Sequence, residues 1–143
     1  MLKNNICRNE DWDKKFIEYI EKVRNRPFKR GQHDCAIFVA NCIYEMTGCD
    51  VAEDFRDKYK TKKAAFKMLR EKGFEDLREI ALARGGAPYE NINFAKRGDV
   101  VLLECGEGFS LGIVDMSGRF AVTTGENELV LRPKDEWLEV WEI

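Results

Sequence analysis

The stretch HDCAIFVANCIYEMTGCD, residues 33–50, reads as one buried helix whose two ends are both marked in the sequence. Asp34 is a good N-cap and Gly48 a good C′ residue. Between them Cys35, Phe38, Val39, Cys42, Ile43 and Met46 form an apolar stripe, and Ala36, Ile37 and Ala40 widen it nearly all round. Such a helix is expected to be covered on several sides. It also raises a question: Cys35 stands in its first turn, two places after His33, the only histidine of the chain.

Upstream, NEDWDKKFIEYIEKVRNRP (9–27) sets Trp12, Phe16, Ile20 and Val23 on one stripe with Ile17 beside it, and Pro27 stops the helix. Downstream, Thr61 caps a helix running through Ala65, Met68 and Leu69 to Gly73. A short fourth helix carries Leu77, Ile80 and Ala81 up to RGG. The segment DFRDKYKTKK (54–63) reads as a solvated loop anchored by Phe55 and Tyr59. The period then changes. GDVVLLEC, FSLGIVD, RFAVTTG, LVLRP and WLEVWEI are short β-rich runs separated by the turn chemistry of CGEG, MSGR, GENE and RPKDE. Helices followed by a meander of about five strands imply an α+β fold with one shared core. Trp137 and Trp141, four apart on the last run, are expected to face the same way.

The 143 residues, 44% hydrophobic and 35% charged, fit one soluble domain spanning 1–143, with a core large enough to need no disulfide or metal. A net charge of −2 and a pI near 5.6 give no pull towards nucleic acid or an anionic membrane. No apolar run is long enough to span a bilayer, and residues 1–15 lack a secretory h-region, so the chain is expected to be cytoplasmic on synthesis. Five cysteines, at 7, 35, 42, 49 and 105, form neither a disulfide framework nor a zinc pattern; no metal and no cofactor is expected.

The order of these motifs resembles the papain-like superfamily, and within it the NlpC-type cell-wall peptidases. PFKRG (27–31), DCAIFV (34–39), RGDVVLL (97–103) and SLGIV (110–114) stand where that family has its Pro-Tyr-x-Trp-Gly, Asp-Cys, Gly-Asp-Leu-Val and His-Val-Gly-Ile segments. A closer resemblance is to a small phage- and prophage-encoded branch found among tail genes, through PFKRGQHDCAIFVANCIYEMTGCD, DFRDKY, RGDVVLL, LGIV and EWLEVWEI. The resemblance implies a papain-like fold with the Cys35 helix packed on an antiparallel sheet, and Cys35 at the nucleophile position. Gly112 would let the sheet come close to that helix. The catalytic histidine, however, falls on Ser110, the residue that orients it falls on Val122 or, with a one-residue slip, Thr123, and the oxyanion-site tyrosine falls on Phe28.

A helix N-terminus lowers a thiol pKa, but Asp34 opposes a thiolate by like charge. The best functional expectation is a phage- or prophage-derived, tail-associated protein with a degenerate catalytic triad. It would act by binding or assembly through a remnant groove of Cys35, His33 and Ser110, with Phe28, Asp34, Val122 and Thr123 around it. Its partners would be phage tail proteins. The alternative is a cysteine peptidase or amidase acting on peptidoglycan peptides, with Cys35 as nucleophile and His33 as an unconventional base. A weaker third expectation is a host-directed thiol hydrolase on the same fold.

Overall fold

In the computed structural model, which describes residues 6–106 and 108–143, four helices precede five strands. The first five residues of the N-terminal stretch and Glu107 of the CGEG turn lie outside the described residues. Helix α1 spans Trp12–Val23, α2 Cys35–Thr47, α3 Lys62–Glu71 and α4 Leu77–Gly85. The capping expected from sequence is present. The Asp34 carboxylate accepts from the Ile37 N–H, Thr61 Oγ1 from the Ala64 N–H, and Gly48 closes α2 with a left-handed φ of 79°. Strands β1 (Val100–Cys105), β2 (Gly108–Val114), β3 (Phe120–Thr124), β4 (Leu129–Pro133) and β5 (Trp137–Trp141) follow the five β-rich runs.

The sheet is wholly antiparallel, in the order β4-β3-β2-β1-β5. Strands β1 to β4 form the expected meander. Strand β5 instead crosses back to pair with β1, which gives β1 a partner on each side and buries both of its faces: Val100 and Leu102 point towards α2, Val101 and Leu103 away from it. Helix α2 lies between α1 on one side and β2 and β3 on the other. The main core joins Phe16, Tyr19 and Val23 of α1 to Phe38, Cys42, Ile43 and Met46 of α2, and to Ile113, Val122 and Trp141 of the sheet.

Two expectations are corrected. On α1 the buried face holds Tyr19, whereas Ile17 is 45% exposed. Tyr19 turns inward because its hydroxyl accepts from the Asn41 amide of α2 at 2.8 Å and its ring stacks on Phe38. The two tryptophans of β5 do not share a face. Leu102 pairs with Glu139 but Leu103 with Trp137, so Leu138 is an extra residue, and the bulge inverts the alternation. Trp141 enters the α2 side of the core, while Trp137 packs with Val101, Leu103 and Val140 on the opposite face. Each indole N–H is satisfied by a backbone carbonyl, that of Gly86 for Trp141 and that of Arg132 for Trp137.

Candidate functional site: an apolar groove at the start of the cysteine helix

A groove of about 490 Å³ runs from the N-terminus of α2 between α3, α4 and the β1–β2 hairpin. That volume lies in the range of small-molecule sites. Its walls are mainly apolar: Ala36 and Ile37 of α2, Ala65, Phe66 and Leu69 of α3, Leu77, Ile80 and Ala81 of α4. Cys35, Ser110 and Phe109 stand along it, with Phe28 and Arg30 contributed by the loop that leads into α2.

That loop is held by a buried carboxylate. One Asp34 oxygen caps α2 through the Ile37 N–H at 2.9 Å. The other accepts from the Gly31 N–H at 2.9 Å and the Tyr59 hydroxyl at 2.6 Å. Gly31 sits at φ +85°, and a Cβ there would lie 2.3 Å from the Tyr59 carbonyl oxygen, so only glycine fits where the two segments touch. Burial, together with the Asp34 carboxylate that takes its proton in a hydrogen bond, raises the Tyr59 pKa far above the usual phenol range. Asp34 is thus the N-cap expected from sequence and, beyond that, a structural anchor that ties residues 31, 37 and 59 together.

Cys35 is half-buried and lines the groove. Burial pushes its thiol pKa up, and the Asp34 charge adds to this; contacts with the Leu111 backbone and the Ser110 hydroxyl favour the thiolate but do not outweigh burial. Ser110 Oγ lies 3.4 Å from Thr123 Oγ1, and Thr123 donates to the Leu111 carbonyl at 2.7 Å. Ser110, which meets the cysteine, is therefore brought together with Thr123. Val122 is not: it is buried in the main core against α1 and α2 and does not line this groove. Phe28 does line it and carries the Arg30 guanidinium over its ring at 4.7 Å.

His33 is placed elsewhere. It is 1% exposed, is absent from the groove lining, and meets the Phe38 ring edge-on at 6.0 Å. Its backbone closes a tight turn with Lys29, and neither ring nitrogen has a hydrogen-bond partner among the described residues. Burial lowers its pKa, helped by Arg26 and opposed by Asp34. The unfolded chain therefore takes up this proton first. Stability is fully present above the ordinary histidine pKa of about 6.5 and falls as the pH drops below it. Urea denaturation at pH 7.5 and pH 5 should show a loss in the wild type that His33→Leu reduces. An equal loss in both proteins would remove His33 as the cause.

Sequence reasoning did not single out Tyr59, Gly31, Thr124 or the α3 and α4 residues as parts of the site. Phe55 and Tyr59 were legible as anchors, but nothing local indicates that the Tyr59 hydroxyl reaches a carboxylate 25 residues away. Among the described residues no three His, Cys, Asp or Glu side chains cluster as metal ligands. No described helix is long and apolar enough to cross a membrane.

Fold and site together define an α+β protein with an apolar groove built around the first turn of a buried, cysteine-bearing helix. Residues 7–143 match the family described as a domain of unknown function, DUF6950, and the chain belongs to that family. No curated protein matches it.

Proposed function

We propose that the chain is a phage- or prophage-derived protein of papain-like, NlpC-like fold that binds through the Cys35 groove without catalysing hydrolysis, and that it serves as a tail-associated assembly component. The carrying observation is the surroundings of the sulfur: Cys35 faces Ser110 and Leu111, while the one imidazole of the chain is packed against Phe38 outside the groove. A thiol whose pKa is raised, with no base in hydrogen-bond contact among the described residues, is a poor nucleophile at neutral pH. Support for the papain-like assignment comes from the order of elements, a cysteine-bearing helix followed by an antiparallel sheet opening with GDVV, and from Ser110 standing beside Cys35 at the family's histidine position. Tail association rests on the resemblance of PFKRGQHDCAIFVANCIYEMTGCD, DFRDKY and RGDVVLL to the phage branch.

The binding role predicts that iodoacetamide labels the exposed Cys7 and Cys105 first, and that Cys35 labelling accelerates only above the ordinary thiol value of 9.0. Peptide mass mapping separates the sites. The wild type should leave muropeptides uncleaved, and the protein should sediment with tail particles from induced lysates. Fast Cys35 labelling below pH 7, together with muropeptide turnover that Cys35→Ala abolishes, would replace the binding role with the cysteine-hydrolase alternative. Absence from purified tail particles would remove the tail assignment alone.

A further inference from the structure

The walls of the groove contain more apolar surface than the fold itself uses. Only Leu69 of α3 is buried, and no residue of α4 is. Ala65, Phe66, Leu77, Ile80 and Ala81 remain half-buried along the opening, with Phe109 across from them. Two short helices with apolar faces left partly in water offer an apolar occupant surface to cover.

The polar groups of the groove narrow the chemistry of that occupant. Asp34 and Tyr59 satisfy each other, with Gly31 and Ile37 completing the carboxylate. Thr123 is spent on Leu111, and Ser110 lies against Thr123 and Cys35. Arg84 donates to the Val51 carbonyl and to Asp54. A peptide threaded through such a groove would bury N–H and C=O groups with few partners, which is costly. An alkyl chain carries no such groups.

Two charges are left over. Arg30 and Lys62 line the groove, lie over Phe28 and Phe66 at 4.7 and 6.0 Å, and pair with no carboxylate among the described residues. Among the described residues Asp34 is the one carboxylate of the lining, buried and bonded to Gly31, Ile37 and Tyr59, so the two free cations outnumber it along the groove.

From these observations we infer that the groove binds a single-chain anionic amphiphile, with its alkyl chain between α2, α3 and α4 and its carboxylate or phosphate head against Arg30 and Lys62. This ligand class rests on the groove being a binding site, and it adds no chemical step.

The test is calorimetric titration of the full chain with laurate, dodecyl phosphate and dodecyltrimethylammonium, each below its micellar concentration. The alkyl chain is the same and only the head changes. Saturable binding of one anionic ligand per chain is expected, with the cationic analogue at least about tenfold weaker, a difference of about 1.4 kcal/mol. Comparing laurate with dodecyl phosphate tells a carboxylate head from a phosphate head. Ala65→Trp, which fills the groove from α3, should abolish binding. Because that variant can perturb α3, Arg30→Glu combined with Lys62→Glu serves as a second one; both changes are on the rim, and they should remove the preference for the anionic head. Equal affinity for the cationic analogue, no saturable binding, or binding unchanged by both variants overturns the inference. Saturable binding of an apolar peptide without any amphiphile overturns it too, while leaving the non-catalytic binding role intact. Failure of that role is read separately, in the muropeptide assay.

Discussion

Asp99→Ala is expected to destabilise the protein by about 3–5 kcal/mol, a large share of the stability of an ordinary domain. The Asp99 side chain is fully buried where β1 begins. It accepts from the Lys96 N–H at 2.7 Å and the Tyr89 hydroxyl at 2.9 Å on one oxygen, and from the Arg8 guanidinium at 2.9 Å and the Ile143 N–H at 3.2 Å on the other. Arg8 also reaches the backbone carbonyls of Arg97 and Ile143. One carboxylate thus holds the N-terminal segment, the loop before β1 and the C-terminal residue together. Removing it leaves several donors unpaired, each at about 1–3 kcal/mol where water cannot reach. Urea denaturation gives the number, and Asp99→Asn should recover part of the loss because an amide oxygen still accepts. A loss below about 1 kcal/mol would mean that these donors find other partners. In a double-mutant cycle, Arg8→Met and Asp99→Ala should cost less together than the sum of the two alone.

The second large effect is at the groove. Asp34→Ala removes the cap of α2 and also strands the Gly31 N–H and the Tyr59 hydroxyl, for an expected cost of about 2–4 kcal/mol. Asp34→Asn should cost less, since an amide oxygen still caps, and it has a second consequence that a purely structural role would not produce. Taking away the negative charge beside Cys35 removes one of the causes that raise its thiol pKa. The pH profile of Cys35 alkylation should therefore shift to lower pH in Asp34→Asn. An unmoved Cys35 profile would show that the Asp34 charge does not act on the thiol. The same aspartate then has two effects: it builds the loop leading into the helix, and it restrains the cysteine that follows.

The candidate site was legible as positions more than as a constellation. Cys35, Asp34, Ser110, Thr123 and Phe28 were all named from sequence, and all but Thr123 line the groove, with Thr123 in contact with Ser110. His33 and Val122 were named with them and lie elsewhere. Two residues before a helix, a side chain can turn to either side of the chain; the Lys29–His33 turn and the face of Phe38 decide that His33 goes inward. Val122 pairs with Ile113 and Leu131 in the sheet and points to the α1–α2 core, so it is Thr123 that turns to Ser110.

By itself the sequence determined the elements and their limits. Asp34, Gly48 and Thr61 act on backbone groups within a few residues, and the β-rich runs announce themselves by composition and by the turns between them, all of it local physics. What only the tertiary structure decided is long-range. Strand β5 joins β1 rather than β4, the bulge at Leu138 sends Trp137 and Trp141 to opposite faces, Tyr19 replaces Ile17 inside, and Arg8 meets Asp99 across 91 positions. Each of these depends on which distant surface a side chain finds, and strand pairing, side-chain direction and burial are settled only when the whole core closes.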